Sequence, residues 1–143
     1  GGRRVKMIRI KLDAGAKMPT RAHALDAGLD LYARESCIVE AKGSAVFDTG
    51  VHIEIPAGWV GVLKSKSGLN IKHGIISDGT IDAGYTGSIK VKLYNLSGYD
   101  YEVKAGDKIT QLVILRCVCD TPYEVQDLDD TERGDRGFGS SGR

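Results

Sequence analysis

Apolar and polar side chains alternate in several short stretches of the chain. Ile8, Ile10 and Leu12 are separated by Arg9 and Lys11, Val51, Ile53 and Ile55 by His52 and Glu54, and Ile89, Val91 and Leu93 by Lys90 and Lys92. A period of two puts one set on a core face and the other in water, so each stretch predicts a half-buried strand. The segment Gln111 to Val118 is more continuously apolar and predicts a central strand covered on both faces, with Cys117 and Cys119 sharing one of them. Turn signals recur at Gly43-Ser44, Pro56-Ala57-Gly58, Asp78-Gly79, Asp82-Ala83-Gly84, Ser97-Gly98 and Ala105-Gly106-Asp107. Many short strands between closely spaced turns indicate an all-β sandwich or barrel. A helical period persists nowhere for ten residues, and one brief helix is expected over Ser67 to Lys72.

Composition agrees. Nineteen of the 143 residues are glycine, a density that turns tolerate and helices do not. A chain of this length can bury a sufficient core without disulfide or metal staples. The longest apolar run, Ala57 to Leu63, is far too short to cross a membrane, and the basic residues near the amino terminus precede no apolar stretch, so neither a membrane partner nor a secretory leader is expected. Three cysteines, an odd number, read as reduced thiols of a cytoplasmic protein. Residues 1–23 hold seven basic side chains against one acid, and residues 120–143 seven acids against three arginines. The basic end lacks interleaved aromatics, so it reads as a solvated edge rather than a nucleic-acid footprint. Hydrophobic residues nearly vanish after Asp127. The expected organisation is therefore a β-domain over 1–126 and a flexible arm over 127–143 with Phe138 as its large apolar anchor.

Four segments could carry chemistry. SKSGLN, Ser65 to Asn70, opens a short helix with Lys66 and the Ser67 hydroxyl beside amides that could hold phosphate, although serine there is also a common cap. GTIDAGYTG, Gly79 to Gly87, puts the carboxylate of Asp82 and the ring of Tyr85 at a hairpin tip, where an aspartate often only bonds its own backbone. Gln111 is a polar side chain in an apolar strand and must find partners or a held water. RGDRGFGSSGR supplies arginines, hydroxyls and an aromatic ring suited to phosphates and a base. His23, His52 and His73 have no second ligand at metal spacing and read as surface or strand-edge residues.

In order along nearly the whole chain, five segments resemble the motifs of the trimeric deoxyuridine triphosphate nucleotidohydrolase (dUTPase) family. They are AGLDLYA from Ala27 to Ala33, SKSG from Ser65 to Gly68, GTIDAGYTG, GDKITQL from Gly106 to Leu112, and RGDRGFGSSG from Arg133 to Gly142. The resemblance implies a jelly-roll-like distorted β-barrel with one short helix and a flexible C-terminal arm. It also implies hydrolysis of dUTP to dUMP and pyrophosphate by in-line attack of water on the alpha phosphorus, which limits uracil incorporation into DNA and supplies dUMP for dTMP synthesis.

By the same resemblance, Asp82 orients and deprotonates the water and Gln111 helps to hold it. Lys66, Ser67, Gly68, Arg133, Gly139, Ser140 and Ser141 surround the triphosphate together with Mg²⁺, whose water shell Asp30 touches. The hairpin Ile76 to Tyr85, including Gly79 and Ile81, reads uracil; Tyr85 packs on the deoxyribose and Phe138 covers the base. The family assembles as homotrimers with shared sites. Two positions depart from its pattern: Lys66 stands where an arginine is usual, keeping charge but losing the planar fork, and Arg136 replaces a glycine. The related dCTP deaminases share the hairpin but place a catalytic glutamate where this chain has Lys92, a cation that cannot shuttle protons as a carboxylate does. A nucleotide sensor without turnover is the other alternative, and it would not require Asp82 and Gln111.

Overall fold

The computed structural model describes residues 7–135. Ten strands and one helix follow in chain order: β1 (Ile10–Leu12), β2 (Gly28–Tyr32), β3 (Cys37–Val39), β4 (Ser44–Asp48), β5 (Val51–Ile53), β6 (Trp59–Lys64), α1 (Ser67–His73), β7 (Ile75–Ile81), β8 (Lys90–Asn95), β9 (Tyr101–Val103) and β10 (Lys108–Arg116). All pairings are antiparallel. Six strands form a curled sheet in the order β2-β10-β6-β7-β8-β4, while β1 pairs with β5 and β3 with β9. The all-β jelly-roll expectation therefore holds.

Alternation sets the inside of this sheet. On β8, Val91 and Leu93 are fully buried while Lys90, Lys92 and Tyr94 face out, and their partners on β4 include Phe47 opposite Val91. Val51 and Ile53 on β5, Ile89 before β8, and Leu31, Ile75, Val103, Ile109 and Leu112 complete one apolar core. Each such side chain contributes roughly 1.5–3 kcal/mol of burial.

Several local expectations change. Asp78 and Gly79, expected at a turn, lie inside β7, where they pair with Lys64 and Leu63 of β6. The central strand starts at Lys108 and ends at Arg116, so Cys117 and Cys119 follow a strand rather than lie on one. It is flanked by β2 and β6, but its far end is not covered on both faces: Leu115 is 47% exposed and Val118 beyond it 83%. A strand can extend past the layer that covers it when main-chain pairing continues, as it does here opposite Val60 and Trp59. The helix runs one residue longer than expected and ends at Gly74, whose left-handed φ of 66° lets its N–H reach the Asn70 carbonyl at 3.0 Å.

Candidate active site

Strand register gathers the first cluster. Gln111 on β10 lies between Asp30 on β2 and Lys64 on β6, and Ser65, Lys66 and Ser67 follow Lys64 directly. Gln111 Nε2 donates to the Ser65 carbonyl at 3.0 Å, which leaves Oε1 as the acceptor its side chain can offer a water. Ser65 is itself fixed from two sides: its Oγ accepts the Ser77 N–H at 3.0 Å and donates to the Ser77 carbonyl at 3.2 Å. Ser77 Oγ then meets Thr110 Oγ1 at 2.8 Å, and Thr110 Oγ1 donates to the Lys64 carbonyl at 3.0 Å. This buried network locks β6, β7 and β10 together beneath the cluster.

Lys66 occupies the N-cap position of α1 without a side-chain cap bond, and Ser67 is the first helical residue, so the serine is not the ordinary cap. The Lys66 ammonium is 2.5 Å from Asp30 Oδ1, and Lys108 Nζ is 3.3 Å from Asp30 Oδ2. Asp30 is only 3% exposed, so its charge is compensated by these two lysines. The carboxylate expected beside a metal's water shell thus anchors the Lys66 ammonium. A bound Mg²⁺ needs several free oxygen ligands. Among the described residues no group of three or more His, Cys, Asp or Glu side chains could hold a metal, and one carboxylate engaged by two ammonium groups does not fit a resident Mg²⁺ site.

The second cluster lies elsewhere. Asp82 follows β7 in a turn closed by the Tyr85 N–H donating to the Asp82 carbonyl at 3.1 Å, with Gly84 at a φ of 88°. Asp82 and Tyr85, both exposed, border a pocket of about 200 Å³ lined also by Gly79, Ile81, Ile89 and Lys90. The Tyr85 hydroxyl donates to the Ser88 carbonyl at 2.8 Å, and the ring covers Gly87 so closely that a Cβ there would come within 2.5 Å of its oxygen.

Within one chain these clusters do not meet. Gln111 is level with Lys64 and Lys64 with Asp78, whereas Asp82 lies four residues further along the chain, one past the end of β7. The two side chains therefore originate roughly 13 Å apart along the sheet and two strand spacings, about 10 Å, across it. Cys117, just beyond the other end of β10, feels the Asp82 charge: partial burial chiefly, then the Cys119 thiol and the charges of Cys119 and Asp82, push the Cys117 thiol above its ordinary value.

Arg133 falls in a segment, Val118 to Asp135, that is exposed throughout. Phe138, Gly139, Ser140, Ser141 and the departure at Arg136 lie outside the described residues. Sequence reasoning missed Lys108, Ser77 and Thr110, which support the first cluster, and Gly28, over which the Gln111 side chain lies. Only Gly28 left a signal, a glycine inside a motif that folds as a strand. Lys92, at the position that separates the deaminases, is exposed on β8 with its ammonium 5.0 Å from the Tyr94 ring centre.

A sequence profile of the dUTPase family matches residues 14–142. The chain belongs to the dUTPase family. A curated relative from Candida albicans, named deoxyuridine 5'-triphosphate nucleotidohydrolase, is 45% identical over 130 residues, spanning 89% of this chain and 82% of the relative. A dUTPase of Staphylococcus bacteriophage 80alpha, solved with dUpNHpp, superposes with a TM-score of 0.86 at 31% identity, covering 96% of this chain and 99% of the phage protein. The dUTPase of phage phi11 of S. aureus, described as coordinating a structural Mg(II) ion, gives a TM-score of 0.81 at 28% identity over 87% of this chain and all of its own. No helix among the described residues is long and apolar enough to cross a membrane.

Proposed function

We propose that this dUTPase-family chain hydrolyses dUTP to dUMP and pyrophosphate by in-line attack of water on the alpha phosphorus, in sites assembled from more than one chain. The observation that carries the reading is the division of the motif residues between two ends of one sheet. Asp82 and Tyr85 border a nucleoside-sized pocket at one end, and Lys66, Ser67 and Gln111 gather at the other. A carboxylate acting as base must reach its water within about 3 Å, so Asp82 needs a phosphate-binding cluster from a neighbour. A homotrimer provides that arrangement. It would also cover the apolar exit segment, where Val118 is 83% and Tyr123 and Leu128 are each 84% exposed.

In this reading the hairpin's backbone and Gly79 and Ile81 meet the uracil, and Tyr85 packs on the deoxyribose where a ribose 2′-hydroxyl would collide. Lys66, Ser67 and the Gly68 backbone meet the phosphates. Asp82 takes the water's proton as the oxygen–phosphorus bond forms and the bond to pyrophosphate breaks, and Gln111 Oε1 aligns that water. The arm over 127–143, with Arg133, Phe138, Gly139, Ser140 and Ser141, closes the site. The substrate is the Mg²⁺ complex of dUTP, with the ion carried on phosphate oxygens rather than in a protein cage.

Pyrophosphate release from dUTP, compared between the parent and Asp82→Asn, tests this. The variant should fold and assemble normally yet lose at least a hundredfold in kcat, the lower range for a positioned acid–base group. Equal rates would remove Asp82 from the mechanism.

A further inference from the structure

His52, on β5, is held through both ring nitrogens. Nδ1 lies 2.7 Å from the Thr86 carbonyl and Nε2 lies 3.0 Å from Asp13 Oδ2. Both partners are acceptors, and a neutral imidazole has only one N–H, so the two bonds are made together only by the imidazolium. The bridge spans separate parts of the fold: Asp13 follows β1, and Thr86 adjoins Tyr85 on the hairpin that borders the nucleoside-sized pocket. From its other side the same hairpin is held by Ser88, whose Oγ donates to Asp48.

We propose that His52 is a positioning residue for the nucleotide hairpin: as an imidazolium it ties Thr86 to Asp13, holds Tyr85 in place, and makes dUTP affinity and sugar discrimination depend on pH. The proposal rests on the reading of Tyr85 as the residue that meets the deoxyribose.

The charged groups around the ring set the direction. Asp13 faces Nε2 from the end of β1; Lys11 is the cross-strand partner of His52; Arg9 and Glu54, ion-paired at 3.4 Å, line the same surface recess. The hairpin contributes the Thr86 carbonyl as its polar contact, and Asp82 and Lys90, each four positions from Thr86, are its nearest charged residues in sequence. The bond to Thr86 and then the bond and charge of Asp13 hold the ring's pKa above its ordinary 6.5, outweighing partial desolvation and Lys11. A raised histidine contributes its stabilisation below the unfolded value and loses it as pH rises through the folded one. The bridge is therefore intact in mild acid and opens as pH climbs through the ring's own raised value.

The test is steady-state kinetics with dUTP and UTP across this range for the parent, His52→Gln and Asp13→Asn, with thermal unfolding measured in parallel. Glutamine can still donate one bond, so the variant keeps a folded hairpin, and comparing profiles cancels titrations common to all three proteins, including the substrate's terminal phosphate. The parent's KM for dUTP should rise severalfold and its preference for dUTP over UTP fall as His52 deprotonates, with kcat little changed. His52→Gln should show the raised KM at every pH, and Asp13→Asn should move the parent's transition to lower pH. Superimposable KM profiles for parent and His52→Gln would overturn the proposal.

Nitrogen-15 shifts of the ring and amide shifts of Tyr85 and Gly87 provide a substrate-free reading. Both ring nitrogens should be protonated in mild acid, and the hairpin amides should titrate with them in the parent but not in His52→Gln. A single neutral tautomer there would refute the bridge. Parent protein that shows the amide titration yet releases no pyrophosphate from dUTP would instead count against the hydrolytic reading.

Discussion

The Gln111 side chain lies directly over Gly28, so that a Cβ added at residue 28 would overlap Gln111 Oε1 and come within 3.0 Å of its Cβ and Cδ. Gly28 and its neighbour Val113 are paired across β2 and β10, so neither backbone can retreat without breaking the ladder. The side chain must move instead. Gly28→Ala should lower kcat about tenfold or more by displacing the Oε1 proposed to align water, while KM for dUTP changes little. Single-turnover pyrophosphate release beside a binding isotherm for dUpNHpp separates the two; a drop in affinity with unchanged kcat would contradict this assignment.

Asp30 links Lys66, at the N-cap of α1, to Lys108 on β10 at a nearly buried position. Asp30→Asn keeps the shape but removes the charge that compensates both. Urea unfolding should show a loss of roughly 1.5–3 kcal/mol, the range for a hydrogen bond to a charged group. KM for dUTP should rise as well, because Lys66 loses its anchor. Unchanged stability would mean that the lysines find equivalent partners in water.

Gly87 leaves room for the Tyr85 ring, and a Cβ there would come within 2.7 Å of ring Cζ as well as crowd the hydroxyl. Gly87→Ala should push the ring off its bond to Ser88 and reduce the ratio of kcat/KM for dUTP over UTP. The fold should hold, since residues 82–86 of this loop are exposed and Gly87 is only half-buried. Retained discrimination would show that the sugar is sensed elsewhere.

Asp48 is held below the usual carboxylate range, first by the Ser88 hydroxyl, then by the Gly50 N–H at 3.0 Å and the charges of Arg34 and Lys90, against modest desolvation. A depressed carboxylate contributes stability above its unfolded value, near 3.8, and loses it as pH falls through its folded value. Ser88→Ala removes the largest cause. The variant's urea midpoint should therefore fall less between neutral pH and strong acid than the parent's, although it starts lower. Parallel pH dependences would exclude Ser88 as the source.

Two of the half-buried strands were legible because one face meets the core: Val51 with Ile53, and Val91 with Leu93, are buried as their alternation predicts, whereas Ile8 and Leu12 are exposed because β1 pairs only with β5 in a two-stranded sheet. β2 was not, since all five of its residues are buried and a strand covered on both faces has no period of two. β3 and β9, three residues each, exist because they pair with one another, which no local pattern encodes. The identities of the motif residues were readable from their order. Their division between two ends of a sheet was not, because it depends on the register linking Gln111, Lys64 and Asp78. The His52 bridge was hidden for the same reason, its partners lying 39 and 34 positions away.

On the proposed sharing of sites between chains, where one chain's Asp82 works with another's Gln111, two differently crippled alleles can repair one another. Co-refolding a chain that lacks the Asp82 carboxylate with one that lacks the Gln111 amide would produce mixed assemblies, some of whose clefts draw an intact residue from each parent. Turnover would emerge from two inactive preparations, and it would vanish again on dilution to separated chains.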